Sequence, residues 1–409
     1  MKTFRNLAAV GLFLGSLVFS SHATFSSIYI WGDSISTTTN SYAPDSQYYG
    51  QRQSNGRTWV EVLAQRQGLG ANSLTNVYWN YNSNNLSYYY HLSSDVVTDI
   101  KNFIAPGNAT NCLFVLWVNN ADFVDDMTHF GAPPKGTNQG NWTAAINQHI
   151  ANHFSVITNL YAKGCRSLIV PNAVDVTTIP QFSGSVEPYR KFVRQQIINF
   201  NANYTAMLNQ ISASFPGLKI YSPDIFSLLD KVEANAAAYG LTNALDYYGN
   251  TIDAISVLHP SGINGPGTNY IYWDYTSPTA AMSEVIADFC QQYLSPVRIA
   301  GLKQVNGSNR LDLVNMPVGL SGCLDNSTNL TTASWTLVTS FDSIANSQSL
   351  LVPTPPLPAG FGLGGGSGGG GGGSIDPNNP GTNAPSTNAV FNSASQFYRL
   401  RFPYAWNWP

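Results

Sequence analysis

The stretch SSIYIWGDSIS, residues 26–36, decides how the chain is read. Ile28 to Trp31 form a short apolar run bounded by serines on one side and Gly32 on the other. A run of that length, rich in β-branched and aromatic residues, reads as a buried strand. Ser34 follows at the strand-to-helix turn. Its hydroxyl there would stand where a sheet opens, and its own backbone N–H could help bind an oxyanion. Taken alone, a Gly-Asp-Ser tripeptide reads more simply as an Asp-Ser helix cap, so the surrounding chain must arbitrate.

Working outward, strands and helices alternate. RTWVEVLAQRQG (57–68) reads as an amphipathic helix closed by Gly68, and CLFVLWV (112–118) as a second buried strand. A helical stretch over 142–162 follows, then SLIVP (167–171), a helix over 189–214 and the strand LKIYS (218–222). A short helix near Ile225 and a last one over 279–293 complete the pattern. Apolar strands alternating with such helices predict an α/β fold, a doubly wound, flavodoxin-like parallel sheet covered on both faces, over residues 24–294. Ligands bind beyond the carboxyl ends of strands in such sheets, which is where Ser34 lies.

After Leu294 the texture changes. Residues 331–341, 348–352 and 396–402 look like strands without a long helical pattern, so 295–409 reads as a small all-β module. The glycine-rich tract 360–389 interrupts it and has no side chains with which to pack. QFYRLRFPYAW beyond it is too aromatic for a loose tail. The tract is therefore expected to be an insertion, with the last strand returning after it; the alternative is a linker to a short docking tail.

The 409 residues allow two domains, and 43% hydrophobic with 12% aromatic residues exclude global disorder. A net charge of −3, with only 10% charged residues, leaves no basic patch for phosphates, so no nucleic acid is expected as partner. Lys2 and Arg5 precede the apolar residues 7–19, and Ser21, His22 and Ala23 offer a small-x-small cleavage site. Residues 1–23 thus read as a signal peptide and the mature chain as exported and soluble. The apolar run falls short of the ~20 residues that span a bilayer, and no later stretch is long enough, so no transmembrane segment is expected in the mature chain, which is taken as a monomer. Cys112, Cys165, Cys290 and Cys323 show neither CxxC nor a zinc spacing. Cys112 and Cys165 each open an apolar run. On adjacent strands their sulfurs could meet in a disulfide, the alternative being two buried thiols.

Four blocks in order resemble the GDSL, or SGNH, family of serine esterases and lipases over roughly residues 26–293. GDSIS is similar to the family's first block and SNGRTWVEVLA to its second. LFVLWVNNADF stands where a strand precedes GxND, and YIYWDYTSPTAAMSEVIADF where WDxxHPT precedes a helix. The resemblance implies Ser34 as nucleophile, forming an acyl-enzyme, and Gly56 as an oxyanion-hole amide beside that of Ser34. It implies Asp274 as the acid that orients a histidine, and no metal or cofactor. Asp33 is expected to structure the turn. The chain departs from the pattern at two blocks. A gapless match puts Asn119 on the family's glycine and Ala121 on its oxyanion-hole asparagine, so Asn120, or else Asn119, would supply that amide.

The larger departure is Ser277, where the family has its histidine. A hydroxyl does not titrate near neutrality and cannot replace imidazole as a base. His259 is the alternative base, on a loop before Asp274. His149 and His153 share a helix face and read as a polar face rather than a metal site. Tyr48, Tyr49, Trp79, Tyr88, Tyr89 and Tyr90 stand near the expected mouth, where they would pack or stack on a ligand. The functional expectation is an exported hydrolase of lipid, carbohydrate or small acyl esters, its turnover impaired by the loss at Ser277. The alternatives are an inactive binding protein on the same fold, or an adhesion or carbohydrate-binding factor dominated by the β module. STNLTTASWTLV and QFYRLRF resemble modules appended to secreted bacterial proteins, which implies attachment or display.

Overall fold

The computed structural model describes residues 25–38, 46–50, 52–69, 85–327, 335–353 and 397–402. The expected signal peptide, the glycine tract and Trp79 lie outside them.

The chain opens with β1 (Ile28–Gly32), α1 (Trp59–Arg66), α2 (Ser93–Asn102), β2 (Leu113–Trp117), α3 (Asn119–Phe130) and α4 (Gln139–Ala162). It continues through β3 (Ser167–Ile169), α5 (Pro180–Ser183), α6 (Glu187–Ser214), β4 (Lys219–Tyr221), α7 (Ile225–Ala234), α8 (Ala254–Leu258) and α9 (Ala280–Leu294). β1, β2, β3 and β4 pair in that order, all parallel. Every residue of β2 is buried. Since alternate side chains point to opposite faces, both faces of the sheet are covered. α1 packs with α9, while α4 packs between α2 and α6. On the far edge of β1, Asn85 forms a parallel bridge to Ile30. The chain therefore leaves β1 to one side and returns across it to β2. That reversal is the switch point of a doubly wound sheet, and it opens at the carboxyl end of β1.

α1 is not half-exposed as its pattern suggested. All eight of its residues are buried, because its polar side chains find partners in other segments. Glu61 accepts from Arg52 Nε at 2.8 Å and caps the helix through Thr58 N at 2.9 Å. Gln65 accepts from Arg57 at 2.7 Å, and Arg66 donates to Asp288 on α9 at 2.6 Å.

Two antiparallel three-stranded sheets follow, built from β5 (Arg298–Val305), β6 (Ser308–Val314), β7 (Ser321–Ser327), β8 (Thr336–Asp342), β9 (Ser347–Pro353) and β10 (Phe397–Arg401). Their orders are β5-β6-β9 and β10-β7-β8, over a small core of Leu311, Leu313, Met316, Leu324, Val352 and Phe402. β10 pairs with β7, with Leu400 opposite Leu324. β5, β6 and β7 were not foreseen. The signal for the first hairpin was present: Asn306-Gly307, with φ of 48° and 75°, is the dipeptide that a two-residue hairpin turn prefers.

The four cysteines are free thiols, which corrects the expected Cys112–Cys165 bridge. β2 and β3 are indeed neighbours, but Phe114 lies opposite Leu168. Continuing that register puts Cys112 opposite residue 166. Cys165 is one residue out of step, and a one-residue offset turns a side chain to the other face.

Candidate active site

β1 ends at Gly32 because the chain must fold back sharply there. A Cβ on Gly32 would fall 2.5 Å from Ser36 Cβ. The turn closes with Ser36 N donating to Asp33 O at 3.0 Å and Ile35 N donating to Asp33 Oδ1 at 3.2 Å. Trp59 Nε1 donates to Ser36 Oγ at 3.0 Å and ties the turn to α1. Asp33 thus structures the turn, as expected. It is only 3% exposed, and burial pushes its carboxyl up to about 7. The amides of Ile35 and Ala121 oppose that rise, and the charge of Asp122 adds to it.

Ser34 opens into a cavity of about 90 Å³. Asp33 and Asn120 also line it, and Val176, Ile179, Leu229, Ile271, Met282 and Ile286 form much of the apolar wall. This wall was missed by the sequence reading. It is assembled from the segment after β3, from α7, from the chain before α9 and from α9 itself.

The two asparagines at the start of α3 separate cleanly. Asn119 is wholly buried and donates its amide to Pro171 O at 3.0 Å, and it does not line the cavity. Asn120 lines it, 8% exposed. Its Oδ1 accepts from Val174 N at 3.0 Å, and its buried Nδ2 has no hydrogen-bond partner among the described residues. A buried amide N–H without an acceptor is costly unless a ligand satisfies it.

Gly56 is half-buried and is not among the residues that line the cavity. Its segment is stapled to the start of α9. Ser277 Oγ donates to Gln53 Oε1 at 3.2 Å, Ser54 Oγ to Pro278 O at 3.1 Å, and Ala280 N to Asn55 Oδ1 at 2.8 Å. A Cβ on Gly56 would meet Ala280 Cβ at 2.6 Å. Gly56→Ala is therefore expected to cost about 1–3 kcal/mol from overpacking; a melting temperature unchanged from wild type would contradict this.

Asp274 is spent on its own loop. Oδ1 accepts from Thr276 N at 2.9 Å and Ser277 N at 2.7 Å, and Oδ2 accepts from Tyr48 OH at 3.1 Å. Burial raises its carboxyl above the usual range against those hydrogen bonds. Ser277 is 0% exposed. Thr276 and Pro278 line the cavity, while Asp274 and Ser277 do not. His259 caps α8 in a left-handed conformation and is also absent from the lining. The α4 histidines do not form a solvated face: His153 is buried and His149 is half-buried. His149 Nε2 lies 3.0 Å from Asp126 Oδ2. Burial opposes its protonation, but Asp122, Asp126 and Asp125 together raise its pKa. His153 is wholly buried against Phe200 and Tyr204, and burial lowers its pKa. Of the tyrosines, Tyr89 and Tyr90 line the cavity. Tyr88 stacks on His91, and Tyr49 lies under Arg52.

Residues 28–289 match the family model described as GDSL-like Lipase/Acylhydrolase. A GDSL esterase/lipase of Arabidopsis thaliana is 24% identical over 318 residues, covering 65% of this chain and 88% of that protein. A second from the same plant is 25% identical over 187 residues, 44% of this chain and 48% of its own. Among solved structures, an extracellular lipase from Streptomyces rimosus is similar at 16% identity and a TM-score of 0.37, covering 65% of this chain and 99% of the lipase. A phospholipase A1 from Streptomyces albidoflavus NA297 is similar at 14% identity and a TM-score of 0.34, covering 66% and 99%. With the family model spanning well over half of the chain, on a parallel sheet whose first strand delivers Ser34 to an apolar cavity, the chain belongs to the GDSL-like lipase/acylhydrolase family, a family of ester hydrolases.

Proposed function

We propose that the chain is an exported hydrolase of aliphatic acyl esters, with Ser34 as nucleophile. The observation that carries this reading is the cavity itself: Ser34 and Asn120, whose Nδ2 has no hydrogen-bond partner among the described residues, both line an otherwise mostly apolar pocket. An ester carbonyl at Ser34 would offer its developing oxyanion to Asn120 Nδ2 and to the backbone N–H of Ser34. Gly56 N–H is the third donor implied by the family. The acyl chain would lie along the Val176, Leu229 and Met282 wall. Asp274 holds the loop that contributes Thr276 and Pro278. Residues 24–294 are taken as the hydrolase unit and 295–409 as an appended β module, after removal of a signal peptide.

Each buried methylene contributes about 0.8 kcal/mol. Two more carbons should therefore raise kcat/KM roughly 15-fold from p-nitrophenyl acetate to butyrate. A flat or falling series over those esters would count against the acyl assignment. Fluorophosphonate labelling of Ser34 tests the nucleophile. One observation favours a second reading, a binding protein without turnover: Ser277 is buried and turned to Gln53, where the family has its imidazole. Tight binding of an acyl ligand without labelling would support that reading.

A further inference from the structure

A cavity of about 90 Å³ is small for an apolar acyl site. One water needs about 10–15 Å³ of such space, so roughly six to nine groups of that size fit. A butanoyl group is within that limit, and a decanoyl group exceeds it unless a wall gives way. One residue outside the lining joins three of the lining segments. Tyr275 OH pairs with Tyr89 OH at 3.2 Å, and Tyr89 and Tyr90 both line the cavity. Tyr275 O accepts from Gln181 N at 3.0 Å, two residues beyond Ile179, which lines the cavity, and Thr276, next in the chain, lines it too. Both rings of the phenol pair are held in place. Asp274 Oδ1 accepts from Thr276 N and Ser277 N and fixes the loop that carries Tyr275. On the other side, Tyr90 has a φ of 60°, a left-handed conformation that persists in a non-glycine residue only where its surroundings impose it. The Tyr90 ring meets Tyr89 edge-on, with centroids 4.7 Å apart. Tyr275 is 46% exposed and Tyr90 41%, so the phenol pair stands on the solvent side of the cavity. A single exposed hydrogen bond between two rings parts more readily than the packed helices behind it, because water replaces the lost partner.

We propose that Tyr275 is a positioning residue that sets the acyl-size limit of this site: its hydroxyl holds Tyr89 against the cavity, and a long-chain ester enters only by parting the two phenols. This rests on the chain being an ester hydrolase with its acyl group in the cavity. A short ester is accommodated with the phenol pair intact. A long one loses that hydrogen bond on binding. The net worth of one hydrogen bond is a factor of about 2–12 in an equilibrium, and long esters are disfavoured by that factor. Once parted, the rings of Tyr89 and Tyr90 present apolar faces to the added methylenes. Removing either hydroxyl while keeping its ring therefore leaves the apolar lining in place and lifts the penalty on long chains.

The test compares kcat/KM for p-nitrophenyl decanoate, below its micellar concentration, with that for p-nitrophenyl butyrate in the full chain. The decanoate-to-butyrate ratio should rise about 2–12-fold in Tyr275→Phe and in Tyr89→Phe. The double variant should match either single one, because both remove the same bond. The gain should fall on KM for the decanoate, since the bond is lost when the substrate binds. A merely structural role for Tyr275 would lower both rates together and leave the ratio alone. A ratio within about 1.5-fold of wild type in both single variants, or a double variant equal to the product of the two, overturns the size limit and leaves the esterase reading standing. Binding of decanoic acid and of butanoic acid, followed by calorimetry, separates the two ideas if no form of the protein turns over at Ser34. Decanoic acid binding that tightens relative to butanoic acid by the same factor in both variants keeps the size limit and removes the hydrolase. Decanoic acid affinity that is unchanged in the variants, or absent throughout, then overturns both.

Discussion

Ser34→Ala is expected to abolish fluorophosphonate labelling and to lower kcat/KM for p-nitrophenyl butyrate about 10²–10⁴-fold. The range follows from what remains. Oxyanion donors and substrate binding alone leave about 10³–10⁴ over water when a serine hydrolase loses its nucleophile. The nucleophile with its base adds the rest, and without an imidazole that addition is nearer the contribution of a single general base, about 10²–10⁴. Affinity for an acyl ligand should hardly change, because the apolar wall of the cavity comes from Val176, Leu229, Met282 and their neighbours, and Ser34 adds only a hydroxyl to the lining. Loss of rate with retained binding is the signature to look for. Turnover that survives Ser34→Ala would remove Ser34 from the chemistry, and with it the roles assigned to Gly56 and Asn120.

The largest stability effect is expected at Asp288→Ala, about 3–5 kcal/mol, or on the order of 10 °C in melting temperature. Arg66 and Asp288 pair across α1 and α9 at 2.6 Å with both side chains 3% exposed. The same arginine joins the β sheets to the hydrolase fold. Its Nη1 donates to Val318 O at 3.2 Å, and its carbonyl accepts from Asn346 Nδ2 at 2.9 Å. Burial outweighs Arg66 and keeps the Asp288 carboxyl above its usual range. The pair itself is thus no net stabiliser, and the damage in the single variant comes from leaving a guanidinium buried without its partner. The double variant Arg66→Met/Asp288→Leu should accordingly be more stable than Asp288→Ala in urea titrations. A single variant that unfolds within about 1 kcal/mol of wild type would show that water reaches Arg66.

Some features were readable from residues 26–68 without any structure. The Ile28–Trp31 run, its stop at Gly32 and the turn after it follow from local hydrophobic pattern and from a glycine that must let the chain fold back. The helix after Gly56 was legible in the same way, but its surroundings were not. Its Glu61, Gln65 and Arg66 look like a solvated face in sequence, yet they are buried on Arg52, Arg57 and Asp288. The β5–β6 hairpin was legible in principle, through Asn306-Gly307, but β5 is largely exposed and gives little apolar pattern.

What the sequence by itself determined is the alternating strand–helix order and the placement of Ser34 at a strand end, because both depend on short-range periodicity and turn chemistry. Tertiary structure decided the rest. Neighbouring residues in a helix point about 100° apart, so the choice between Asn119 and Asn120 belongs to Pro171 and Val174, about fifty residues on. Ser277 is turned from the cavity by Gln53, 224 residues earlier in the chain. The apolar wall joins segments that share no pattern. A one-residue register between β2 and β3 keeps Cys112 from Cys165. In each case a side chain's direction is set by a partner distant in sequence, and no local pattern encodes the identity of that partner.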